Sequence, residues 1–220
     1  MRGLRRNLAL VVQQRGGMDA ITLLTNDHRK VEALFKDYEF AREDRVRKEL
    51  VDQMVKELSI HASIEEGSLY PAVRKDVPGA GSLVDESLEE HQQAKELLAK
   101  LDGLEPTESS FDATVQELME AIKHHVQEEE GELFPKARAA LTSNRLEELG
   151  TELDKMKGAV PTHPHTHAPN EGAPAKIAGI AAGAADRARD AMSGRKDERE
   201  VRQDVIEDRD FQHPPSQRLP

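Results

Sequence analysis

Apolar residues recur along the chain at alternating steps of three and four, the period of a helix that buries one face. In a first predicted helix, Asp19 to Ala41, the stripe runs Ile21, Leu24, His28, Val31, Phe35. A second, Glu43 to Asp76, carries Leu50, Met54, Leu58, His61, Glu65, Leu69 and Ala72. Val77-Pro78-Gly79-Ala80-Gly81 is a turn by composition, and Ser82 with Asp85 resembles a capping box. The third helix reads Val84, Leu88, His91, Ala94, Leu98 and Leu101. A loop from Gly103 to Ser110 follows, with Ser109 or Ser110 as the expected N-cap. The fourth helix, Phe111 to Leu141, presents Phe111, Val115, Leu118, Ile122, His125, Glu129 and Leu133. Arg145 to Lys157 forms a short fifth helix. In each of the four stripes, polar residues stand where the period calls for apolar ones.

Those interruptions repeat. His61 to Pro71 reads His-Ala-Ser-Ile-Glu-Glu-Gly-Ser-Leu-Tyr-Pro, and His125 to Pro135 reads His-Val-Gln-Glu-Glu-Glu-Gly-Glu-Leu-Phe-Pro. Four residues is just over one helical turn, so each His shares a face with its Glu. His28 lies 63 residues before His91, and His61 lies 64 before His125. The unit is a helical hairpin with His on its first helix and His-x-x-x-Glu on its second, used twice. Pro71 and Pro135 predict the same interior kink in both copies. Two hairpins joined by short loops predict an all-α, up-down-up-down four-helix bundle. His124 and Glu128 are also four apart, but the repeat selects His125 and puts His124 about 100° off the stripe, on the surface or behind a ligand. Tyr70 and Phe134 read as core, Tyr70 also as a hydrogen-bond donor or radical site near the centre.

Three segments follow from the change of pattern. Residues 1–17 read as a disordered N-terminal extension or a start misplaced upstream of Met18; the apolar run Leu8 to Val12 is too short for a signal-peptide core. Residues 18–157 hold the bundle. Residues 158–220 form a Pro/His-rich linker and a charged, disordered or partly helical tail. Within the linker, His163, His165 and His167 read as solvated in preference to a loose trap for zinc, nickel or copper, and the Gly179 and Gly183 pair carries no functional weight.

Composition narrows the function. Charged residues make up 33% and hydrophobic ones 37%, with no Trp, which suits a charged helical domain better than a β-sandwich. A net charge of -11 argues against nucleic-acid partners. The absence of Cys excludes disulfides and thiolate ligands, so any metal must be held by His and carboxylate. No stretch approaches the roughly 20 apolar residues of a membrane span, and a cytoplasmic location is the default expectation.

Six polar residues therefore point into the predicted core: His28, His61, Glu65, His91, His125 and Glu129. Two uncompensated buried carboxylates would cost several kcal/mol each, a large fraction of a fold stable by about 5–15 kcal/mol. Four neutral imidazoles and two carboxylates able to bridge can hold two divalent ions instead.

This constellation resembles the hemerythrin-like domain, whose H…HxxxE…H…HxxxE pattern is matched by Asp27-His28, His61 to Glu65, Glu90-His91 and His125 to Glu129. The resemblance covers about Met18 to Lys157. It implies two non-haem irons bridged by Glu65, Glu129 and an oxo or hydroxo group, with O2, NO or peroxide as the small ligand. The sequence departs from the oxygen carriers of that family at Lys95, where they carry a second third-helix His, and in spacing its last carboxylate as Glu129. The lost ligand leaves an open position unless Glu66, Glu130 or water fills it. Three functions are expected: a di-iron protein that binds or senses O2, NO or iron and relays its state to a protein partner through the tail; a catalase-like enzyme dismutating hydrogen peroxide, with Glu66 or Glu130 as acid–base; and a metal-free helical interaction module.

Overall fold

The computed structural model describes residues 17–212. Asp19 starts α1 (Ala20–Phe40) by accepting from the Thr22 N–H at 3.0 Å. Next, α2 (Asp44–Ile64) runs through a π turn, Glu65–Leu69, into α3 (Tyr70–Asp76). The rod α4 (Gly81–Asp102) leads to α5 (Phe111–Glu128), which passes a second π turn, Glu129–Leu133, into α6 (Phe134–Ala140). Helix α1 packs on α2, α4 on α5, and α2 on α4, which completes the predicted four-helix bundle. The fifth helix, α7 (Ser143–Lys157), is capped by the Thr142 side chain and lies against α1.

The expected proline kinks take the form of the two π turns. Proline lacks an N–H, and its ring clashes with the carbonyl four residues back. In both copies the preceding residue bonds five back instead: Tyr70 N–H to Glu65, and Phe134 N–H to Glu129. The widened turn leaves room for Pro71 and Pro135 and keeps the rods continuous. Two expected caps are not made. Ala80 is the N-cap of α4, so Ser82 already lies inside the first turn, and Asp85 pairs with Arg74. Ser110 does stand at the N-cap of α5, but its side chain makes no capping bond because the backbone there is already helical.

The core has two apolar parts. One end of the bundle gathers Leu24, Ile64, Leu69, Val84, Leu133 and Leu153, among others. The other gathers Phe35, Leu50, Met54, Leu98, Phe111 and Leu118. All six predicted polar residues are buried between them.

The C-terminal segment corrects the expected linker and tail. Residues after Gly158 fold back on the bundle and form α8 (Gly172–Ser193) and α9 (Glu198–Gln212). Small residues and charges anchor them. Gly183 approaches the 159–160 backbone so closely that a Cβ would sit 2.2 Å from the Ala159 oxygen. Arg187 donates to the carbonyls of Ala159, Val160 and Gly183, while Asp186 accepts the N–H groups of Thr162 and His163. Val201 and Val205 bury against the second core part. His163, expected to be solvated, is buried between Asp102 at 3.0 Å and Asp190 at 2.8 Å. His165 is half-buried and bonds Asp186; His167 is exposed. Residues 1–16 of the predicted N-terminal extension and residues 213–220 of the tail lie outside the described residues.

Candidate metal centre

Each helix of the bundle sends one imidazole inward. His28 comes from α1, His61 from α2, His91 from α4 and His125 from α5, while Glu65 and Glu129 open the two π turns. The structure brings all six predicted residues together. Nε2 of His28 lies 3.1 Å from Nε2 of His61, and Nε2 of His91 lies 3.2 Å from that of His125. The ring pairs share one geometry, 4.8 Å at 58° and 4.7 Å at 56°. Glu65 Oε2 is 3.1 Å from His61 Nε2 and 3.4 Å from His91 Nε2. Glu129 Oε2 is 3.4 Å from His28 Nε2 and 3.5 Å from His125 Nε2. Each carboxylate therefore reaches across both His pairs. Two groups of ligand atoms result, His28, His61, Glu65, Glu129 and Glu65, His91, His125, with Glu65 common to both.

The other ring nitrogens all face carboxylates. His28 Nδ1 is 2.8 Å from Glu130, His91 Nδ1 3.0 Å from Glu66, His125 Nδ1 2.8 Å from Glu90 and His61 Nδ1 3.7 Å from Asp27. At His28, His91 and His125 the carboxylate accepts from Nδ1 and turns Nε2 inward, the arrangement that orients metal-binding histidines, whereas the buried His61 Nδ1 has no hydrogen-bond partner. Glu66 and Glu130 are thus committed to imidazoles on neighbouring helices and do not fill a coordination position. The repeat carries their signal: an acid precedes His28 and His91, and another follows Glu65 and Glu129.

Burial makes the interior charges strong. Burial opposes the His61 imidazolium, but the charge of Glu65, the nearby Asp27 carboxylate and the field of Glu129 outweigh it and lift its pKa to about 10. Burial likewise opposes His91, and Glu65 and Glu66 raise it to about 9. Against its own burial, Glu65 is held well below the ordinary carboxylate range by His61 and His91. Glu65 Oε1 and Glu129 Oε2 are nevertheless buried with no hydrogen-bond donor. Inward Nε2 atoms, whose protons a cation can displace, and undonated carboxylate oxygens fit cations of the kind bound by nitrogen and oxygen.

Tyr70 belongs to the same centre. Its hydroxyl donates to Glu129 Oε1 at 2.9 Å and lies 3.2 Å from His91 Nε2. In an α-helix a residue five beyond Glu65 would sit about 140° round the axis; the π turn brings it back over the site. Burial, then the charges of Glu129 and Glu65, raise the Tyr70 pKa and keep the phenol protonated. The equivalent Phe134 stacks on His28 at 5.7 Å with the planes 3° apart.

Lys95 is buried, and its Nζ lies 2.7 Å from both oxygens of Glu66. Beside the Nε2 atoms lies a cavity of about 20 Å³, lined by apolar side chains such as Val31, Leu58, Leu98 and Ile122, with Lys95 in its wall. His124 is exposed and pairs with Glu90 and Glu128 on the surface.

The family model described as Hemerythrin HHE cation binding domain matches residues 19–137. An uncharacterized hemerythrin-like protein of Schizosaccharomyces pombe is 30% identical over 167 residues, 76% of this chain and 82% of that protein. A DNA nickase of Nostoc is 31% identical over 143 residues, 65% of this chain and 40% of that relative's length. The crystal structure of a Hemerythrin HHE cation binding domain-containing protein from Mycobacterium kansasii superposes with a TM-score of 0.55 at 26% identity, covering 64% of this chain and 88% of that one.

Proposed function

The chain belongs to the Hemerythrin HHE cation-binding domain family, and on that premise we propose that it is a non-haem di-iron protein that binds or senses a small redox ligand, O2 or NO, or iron itself. His28 and His61 would hold one iron, His91 and His125 the other. Glu65 and Glu129, each within reach of both His pairs, would complete the ligand set. The observation that carries this reading is the shared orientation of the imidazoles: four Nε2 atoms converge on two carboxylates while four Nδ1 atoms face acids. Bound iron supplies redox change and an open position for the ligand. The chain's own residues supply the rest. Tyr70 holds a proton on Glu129, and the apolar cavity keeps bulk water from the Nε2 atoms.

A second reading, peroxide dismutation, is favoured by Lys95, which is engaged by Glu66 and stands where a further His ligand is expected. Glu66 and Lys95 are tied to each other and Glu66 also to His91, so acid–base help in such a reaction would fall to Tyr70. The net charge of -11 supports a function without nucleic acid. Among the described residues no helix is long and apolar enough to cross a membrane, which supports the proposal of a cytoplasmic protein.

Reconstitution of untagged protein with ferrous iron under anaerobic conditions tests the reading. New absorption bands on adding O2 or NO are expected. A spectrum indifferent to both contradicts it.

A further inference from the structure

Outside the buried centre, the surface carries a smaller constellation of the same donors. Glu90 on α4 and His124 and Glu128 on α5 offer three ligand atoms that all lie within 4.8 Å of one another. His124 Nε2 stands 3.4 Å from Glu90 Oε1 and 3.3 Å from Glu128 Oε1. A hydrogen bond would draw the ring to one acceptor, at about 2.7–3.2 Å. Here the nitrogen sits evenly between two, beyond that range from both. Ligand atoms about 2.0–2.2 Å from a zinc-like cation lie about 3.3–3.6 Å apart at tetrahedral angles, which is the spacing seen. The buried His-x-x-x-Glu pairs bracket the same value, at 3.1 Å for His61 with Glu65 and 3.5 Å for His125 with Glu129.

This surface pair is not a by-product of the duplicated hairpin. The residues 64 positions earlier are Ile60 and Ile64. Ile64 is buried, and Ile60 packs against the same apolar cluster, which includes Leu149 and Leu153 of α7. The fifth helix therefore closes this face of the first hairpin. On the second hairpin the face is open, and the His124 side chain is 64% exposed. Water can reach an ion there and complete a shell begun by three protein ligands. Glu90 divides its carboxylate between the two sites: Oε2 accepts from His125 Nδ1 at 2.8 Å, and Oε1 is turned to His124. Glu86, one turn before Glu90 on α4, adds a third negative charge to the patch.

We propose that Glu90, His124 and Glu128 form a further cation site, open to solvent, for a divalent transition-metal ion of the zinc class. The donor set decides the class. An imidazole nitrogen beside two carboxylates suits zinc, iron(II) or manganese(II), whereas calcium and magnesium take oxygen ligands. The carboxylates of the patch repel anions. The site shares no ligand with the six buried residues, so it stands whether or not they hold iron.

Zinc on the surface and iron in the buried centre are told apart by their absorption edges. Crystals of the iron-loaded full chain are soaked in zinc chloride, and diffraction is recorded at the zinc edge. An anomalous peak bonded by His124 Nε2, Glu90 and Glu128 is expected, and its loss in His124→Ala, an exposed position whose truncation leaves the core untouched. Absence of that peak, or its persistence in His124→Ala, overturns the site. Calorimetric titration of the iron-loaded protein with zinc gives a check free of the lattice. The wild type should take up one more zinc per chain than His124→Ala or Glu128→Gln, and equal stoichiometries overturn the site. Whatever the buried centre holds appears at its own position in the map, so a failure of the di-iron reading is seen separately.

Discussion

Nδ1 of His28, on the first helix, meets the carboxylate of Glu130, in the second π turn, at 2.8 Å across 102 residues of chain. The repeat reproduces this contact between His91 and Glu66 at 3.0 Å. The carboxylate fixes the imidazole without touching the place where a metal would sit. Glu130→Ala is therefore expected to weaken metal binding by roughly 10–100-fold while leaving all six proposed ligands in place. Glu130→Gln keeps an acceptor and should lose less. Competition against a chelator measures both, and equal affinities for wild type and Glu130→Ala would refute the assigned role.

Lys95 and Glu66 form a buried ion pair. Removing one partner strands the other, so Lys95→Ala should cost about 3–5 kcal/mol in urea unfolding. The double replacement Lys95→Met with Glu66→Gln leaves neither charge alone and should recover much of that loss. If the single and double variants are equally destabilised, the pair is not what holds this wall.

Docking of the C-terminal segment depends on a close backbone approach at Gly183. Gly183→Ala must push α8 away from the 159–160 backbone, at a cost of about 1–3 kcal/mol. Hydrogen exchange should speed up across α8 and α9 while α1, α2, α4 and α5 stay protected. Unaltered exchange in α8 would contradict the packing.

Acid should release the same segment. Burial opposes ionisation of Asp102, but the charges of His163, Arg189 and Arg195 hold its carboxyl below the ordinary 3.8. Asp190 is held below it too, against its burial, by Thr162, His163 and Arg195. A carboxyl with a lowered folded pKa stabilises the docked state above its unfolded value, and that contribution is lost as pH falls through the folded one. Protection of residues 158–212 should thus hold steady from pH 7 to 5 and decline only below about 3.8, the unfolded value. Release already at pH 6 would mean that some other group controls docking.

The bundle and its six inward polar residues were legible because both depend on period. A His or Glu in an apolar stripe stands out, and the duplication picks His125 over His124. Tyr70 was legible only as core with a polar option, since its position over Glu65 depends on a π turn that proline sterics create. Glu66 and Glu130 were read toward the metal, whereas contacts across helices carry them to His91 and His28. The docked C-terminal segment was missed because Gly183, Asp186 and Arg187 anchor it. These make no apolar stripe, and their partners lie far away in sequence or on bare backbone.

The central claim is that two metal ions stand where the six side chains converge. Elemental analysis of untagged protein measures it most directly, for the wild type and for His61→Ala and Glu129→Ala. Two irons per chain are predicted for the wild type, with marked loss in both variants while the helical circular dichroism persists. A wild-type protein that is fully folded and free of metal after growth in iron-replete medium, or variants that keep two irons, would contradict the account.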